Sequence, residues 1–196
     1  FEEVRDHYVG LLYEVDPREL KAKEPERYLD LSRAAVAEVV EATIGEWRRP
    51  GSSCAGALIW FWKDLWASSG WGVLDWTGAP KSPWWAMRRA FRPIQIALSD
   101  EGVNGQHVHC INEANTSFVG KIALRCYRDG ATLIMNADRD VEIAPRGSVS
   151  LRDCDLWGAF FDTAYAYRFG PPSHEATVAT LLDVDGVALA EAWHFP

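Results

Sequence analysis

Gly56-Ala57-Leu58-Ile59-Trp60-Phe61-Trp62 carries no polar side chain at any of its seven positions. Ser and Gly bound it on one side and Lys63-Asp64 on the other. A run this short and rich in aromatics reads as a strand rather than a helix. A strand with one wet face would alternate apolar and polar residues. One without a polar face is covered on both sides, as parallel strands between helices are. Parallel partners need long crossover connections, and the chain holds no second strand of this kind. Its neighbours are therefore expected upstream of Phe1 in a longer protein, or a second copy of the chain covers the strand. The chain reads as a C-terminal piece.

The residues around this run are helical. Phe1, Val4, Tyr8, Leu11 and Leu12 recur at helical spacing, and Asp16-Pro17-Arg18-Glu19 is a helix start, with a capping Asp before Pro at the first position. A longer helix is expected from Pro25, its stripe running from Tyr28 to Trp47, with Pro50-Gly51 as its end. After the run, a loop rich in Ser, Gly and Trp reaches Pro80, and Ser82-Pro83 starts a helix that stops before Pro93. Beyond Pro93 the period becomes two. Nine short runs are expected as strands: 94–98, 106–111, 119–127, 131–135, 141–144, 148–151, 164–169, 177–182 and 187–193. Turns such as Asp129-Gly130 and Asp185-Gly186 divide them. That spacing suits an immunoglobulin-like β-sandwich over 94–196, after an α/β region over 1–93.

Charge and cysteine usage narrow the partners. A formal charge of -8 argues against nucleic acid, whose backbone needs a cationic footprint. No run approaches the length of a membrane span. Cys54, Cys110, Cys126 and Cys154 are scattered, so free thiols in a reducing compartment, the cytoplasm, are expected. A Cys110–Cys126 disulfide would require those two to face each other across strands. His107 and His109 share one strand face while Cys110 lies on the other, so no metal site converges there. No phosphate loop or nucleophile elbow is present, and no cofactor is expected.

Eight of the ten Trp fall between Trp47 and Trp85, and within that stretch a pattern emerges. Gly56 and Trp60, then Asp64 and Trp66, Trp71, Asp75, Gly78, Pro80, Lys81 and Arg88-Arg89-Ala90 resemble glycoside hydrolase family 2 enzymes, the β-mannosidase branch most of all. The pattern runs roughly G-x-x-x-W-Q-x-N-D-x-W-P, S-W-x-x-x-D-x-x-G-x-P-K, then R-R-A. Its Gln, Asn and Pro are Phe61, Lys63 and Ala67 here. The resemblance implies the last strand and last helix of a (β/α)8 barrel followed by a sandwich. It implies a retaining exo-glycosidase acting on terminal β-linked sugars, a mannoside favoured, with glucuronide, galactoside and glucosaminide open.

Retaining hydrolysis needs two carboxyl groups about 5–5.5 Å apart. The resemblance puts both Glu on barrel strands that would precede Phe1, so the chain alone is expected to be inactive. Asn112-Glu113 imitates the family's acid/base pair but lies between strands, where turn chemistry accounts for it. On the resemblance, Trp60 is the sugar platform, with Asp64 and Trp66 beside it at the site mouth. Asp64 has a second reading as a loop cap, and Trp60 as a core aromatic. Trp71, Trp76, Trp84 and Trp85 are expected to cement the loop and last helix onto the barrel and the sandwich, and Trp157 and Trp193 to be β-domain core or interface. The alternative function is a non-catalytic carbohydrate-binding or interaction module with a helical arm.

Overall fold

A computed structural model describes residues 2–68 and 70–196; Phe1, first in the helical stripe read above, and Ser69 of the Trp-rich loop lie outside them. The fold mixes helices with two antiparallel sheets and divides into two units, 1–44 with 54–90, and 45–53 with 91–196.

The first unit holds α1 (Glu2–Tyr13), α2 (Pro17–Lys23), most of α3 (Pro25–Arg48) and α4 (Ser82–Ala90). Asp16 caps α2 by accepting the N–H groups of Arg18 and Glu19, as its sequence promised. The apolar stripe of α1 is corrected. Val9 is its buried residue, while Val4 and Leu11 face solvent. The reason is polar: Arg5 donates to the Tyr28 hydroxyl, which donates to Asp6, both at 2.6 Å, so the face bearing residues 5, 6 and 9 turns to α3. Ile44, Val73, Met87 and Ala90 form a small core, with Val40 and Trp84 against it.

A second correction concerns the run that opened the sequence reading. Residues 56–62 form no strand, and Leu58 is 99% exposed. Near its end Val73 N–H donates to the Phe61 carbonyl and Leu74 N–H to that of Trp62, and at its start the Gly56 carbonyl accepts from the Cys54 thiol. The composition of a buried strand does not make one when no neighbouring strand is at hand to accept its ladder.

In the second unit, β1 (Ile94–Asp100), β2 (Gln106–Asn112) and β5 (Gly147–Arg152) make a three-stranded sheet in the order β1-β2-β5. A four-stranded sheet, β4-β3-β6-β7, is built from β3 (Phe118–Arg128), β4 (Thr132–Ile143), β6 (Ala176–Leu182) and β7 (Ala188–His194). Their inner faces share one core: Ile96, Val108 and Cys110 from the first sheet, Ile122, Leu124, Ile143 and Leu181 from the second. The register keeps alternate side chains inward, Phe118, Gly120, Ile122, Leu124 and Cys126 along β3. Asp129-Gly130 turns β3 into β4 with positive φ at both residues, the geometry a tight hairpin needs.

Among the described residues, seven strands replace the nine expected. The runs 131–135 and 141–144 are one continuous β4. The run 164–169 is a loop, because the Asp162 carboxylate takes the N–H groups of Ala166 and Tyr167 that a ladder would use. A short helix not anticipated, α5 (Asp153–Trp157), precedes it.

Candidate functional site

The motif-bearing loop between Trp60 and Lys81 is organised by two aspartates. Asp64 is 8% exposed, and its carboxylate accepts the Gly72 N–H at 2.6 Å and the Lys81 ammonium at 2.8 Å. Lys81 also donates to the Gly70 carbonyl at 2.9 Å. A Cβ on Gly70 or Gly72 would lie 2.3 or 2.5 Å from an Asp64 carboxylate oxygen, so only glycine permits the chain to wrap this closely. Burial alone would raise the Asp64 pKa; the bonds from Lys81 and Gly72 outweigh it and hold the carboxyl below its usual range. Asp75 closes the next turn by accepting from the Thr77 hydroxyl and the N–H groups of Thr77 and Ala79, and these bonds lower its pKa too. The two halves of the sequence pattern are thus tied by one ion pair, buried Asp64 to partly exposed Lys81.

This clasp presents aromatic faces. Trp60 is 79% exposed and Trp66 is 66% exposed. The Trp60–Phe61 peptide is cis, and the two rings lie 5.3 Å apart. Trp62 meets Trp84 edge-on at 5.4 Å, joining the loop to α4. Trp71, Trp76 and Trp85, expected to cement the loop and last helix onto the barrel and the sandwich, are 63%, 53% and 46% exposed in the chain by itself. Of the three residues read as substrate-binding, Trp60 and Trp66 lie open to solvent, and Asp64 spends both carboxylate oxygens inside the loop. Lys81, Gly70 and Gly72 were not singled out by sequence reasoning as site residues. Lys81 lies within the quoted pattern, and an acid, Asp64, and a base, Lys81, on either side of its Trp-rich loop were the available signal.

The other constellations resolve as structure. Asn112 is fully buried; its amide donates to the carbonyls of Thr116, Ile143 and Ala144, and its oxygen accepts the Ala114 N–H. Glu113 pairs with Arg48 at 3.0 Å. His109 is buried between Ser99 and Ser150, 2.8 and 3.0 Å from its two ring nitrogens, and burial, with Arg49 and His107 nearby, pushes its pKa down to about 4. Cys110 and Cys126 are free thiols, pushed up by burial to about 12 and about 11. Among the described residues no cluster of His, Cys, Asp or Glu could hold a metal ion, and no helix is long and apolar enough to cross a membrane.

No protein-family model matches the chain. Beta-mannosidase B of Emericella nidulans is 25% identical over 150 residues, covering 67% of this chain and 18% of that protein. Beta-mannosidase B of Aspergillus clavatus is 23% identical over 193 residues, covering 89% and 22%. The chain thus spans about a fifth of the length of these relatives. Among solved structures, a Beta-D-mannosidase from Dictyoglomus thermophilum superposes with a TM-score of 0.67 at 23% identity, over 87% of this chain and 20% of that one. An Amycolatopsis orientalis exo-chitosanase gives 0.67 at 15% identity, over 86% and 19%. In sequence and in fold the chain is β-mannosidase-like, fitting the C-terminal portion of a glycoside hydrolase family 2 enzyme.

Proposed function

We propose that the chain is the C-terminal part of a retaining exo-glycosidase that hydrolyses terminal β-linked sugars, β-mannosides before others. In this reading residues 1–93 close a (β/α)8 barrel supplied otherwise by the rest of the parent protein, and 94–196 are an immunoglobulin-like sandwich. The chain gives one wall of the sugar subsite and neither catalytic Glu. Trp60 packs its ring on the C–H face of the terminal sugar, Trp66 stands at the mouth, and Asp64 positions the loop between them. The observation that carries the reading is the exposed, wholly apolar run Gly56–Trp62 inside the stretch that carries the family pattern. Such a run wants cover on both sides, which barrel neighbours supply and water does not. In the chain by itself, pairing of two copies along Gly56–Trp62 is the other way to cover it.

The test is hydrolysis of p-nitrophenyl β-D-mannopyranoside. The chain alone gives no turnover above blank. The full-length parent turns over, and Trp60→Ala in it raises KM about tenfold or more, the loss of one aromatic stacking contact. Turnover by the chain alone at the parent's rate overturns the reading.

A second reading, a non-catalytic carbohydrate-binding or interaction module with a helical arm, draws support from the solvent-facing indoles of Trp60, Trp66 and Trp76. It predicts sugar binding by this chain and no hydrolysis by the parent.

A further inference from the structure

The second unit carries a cleft that the glycosidase reading does not use. It has a volume of about 400 Å³, inside the range of roughly 300–1,000 Å³ typical of small-molecule sites. One wall is Asn104 of the β1–β2 connection with His107 at the start of β2; the other is the loop after α5 with Phe160 and Tyr167. That loop is held in place. The Tyr167 hydroxyl donates across the cleft to the Val103 carbonyl at 3.2 Å, its N–H is taken by Asp162, and the Thr163 hydroxyl donates to buried Asp153. Phe160 meets Tyr167 edge-on at 5.4 Å and 84°, and Phe169 stacks on the other ring at 6.3 Å. Phe160 is nevertheless 70% exposed, an aromatic face at the mouth with open space before it.

The polar groups decide what fits. Arg152 is engaged by Asp155 through two bonds of 2.9 Å, and Glu101 by Arg49 and Ser99. Asp162 is occupied by two backbone N–H groups. With these groups engaged, the cleft offers neither a free guanidinium for a phosphate nor a free carboxylate for an amine among the described residues. The side chains of Asn104 and His107 make no hydrogen bond among the described residues, leaving hydrogen-bonding groups beside the exposed ring of Phe160. That combination suits a ligand with one apolar face and a rim of hydroxyls.

We propose that this cleft binds a neutral pyranoside, its ring stacked on the exposed face of Phe160 and its hydroxyls bonded to His107 and Asn104. This second sugar site belongs to the sandwich and is independent of Trp60.

The test is a titration of the isotope-labelled chain with β-1,4-mannobiose, followed by amide NMR. Shifts are expected in residues 101–107 and 158–168, with weak, millimolar-range affinity. Phe160→Ala and Asn104→Ala each weaken binding about tenfold while the sandwich spectrum keeps its dispersion, and Trp60→Ala changes nothing in this cleft. Absence of shifts at the cleft overturns the proposal, as does movement at the Trp60 and Trp66 indoles alone. Choline is the competing probe: if choline shifts the cleft residues and mannobiose does not, the site is a cation cage and the proposal fails.

Discussion

The two units solve the same problem unequally. In the sandwich, every strand that presents an apolar face meets the opposite sheet, and Ile96, Ile122, Leu124, Ile143 and Leu181 are essentially inaccessible. In the helical unit the core is a handful of residues around Ile44 and Val73, while Leu58, Trp60 and Trp66 lie in water. The sandwich carries both sides of its interface within about a hundred residues. The helical unit leaves the apolar run around Leu58 and Trp60 facing solvent. Hydrophobic burial needs a partner surface as well as an apolar sequence, and the second unit has it where the first does not.

If that contrast is right, truncation should hurt the two units very differently. Leu124→Ala or Leu181→Ala in the sandwich should cost about 2–5 kcal/mol, read as a lower urea midpoint of the sheet signal. Acid should act next. His109 is buried neutral with a pKa of about 4 against an ordinary value of 6.5, so the unfolded chain binds the extra proton between them. Stability therefore falls as pH drops through that window, by on the order of 3 kcal/mol from His109. His174 and His194, held below the ordinary imidazole range chiefly by burial, act in the same direction. His109→Gln should flatten part of the acid slope in urea midpoints taken at several pH values.

Within the helical unit, Lys81→Met should loosen the Trp loop by about 1–3 kcal/mol, since it strips the charged donor from buried Asp64. Lys81 is partly exposed and solvent screening discounts the pair, so the lower end is expected. Red-shifted Trp emission with an unchanged sheet signal would show the effect to be local. Thiol labelling sharpens the contrast further. Cys54 should react in the native chain, and Cys110 and Cys126 only after denaturation. The smallest effect is Leu58→Ala, within about 0.5 kcal/mol, because the side chain touches mostly water. A Leu58→Ala cost rivalling Leu181→Ala would break the comparison.

What could be read beforehand was local. Asp16 before Pro17, and Asp129-Gly130 between alternating runs, carry their backbone chemistry within a few residues, and both appear as expected. Gly56–Trp62 misled because composition records a need for cover and not where the cover is. Residues 164–169 alternate well enough for a strand, yet one carboxylate two positions upstream takes their amides. The Asp64–Lys81 pair spans 17 residues and depends on Gly70 and Gly72 wrapping the carboxylate, which no spacing rule conveys. The sandwich cleft is assembled from 101–107, 152–154 and 160–167, three stretches with no motif of their own.

Amide hydrogen exchange most directly tests the proposal that Gly56–Trp62, which forms no strand in the chain alone, becomes one beside barrel strands of the parent protein. In the chain alone, amides of 56–60 should exchange at close to unprotected rates while the middle of β3 and β6 is protected by orders of magnitude. In the full-length parent, 56–62 should become protected like the sandwich. Protection of 56–60 in the chain alone and as a monomer, or continued free exchange in the full-length parent, would contradict the account.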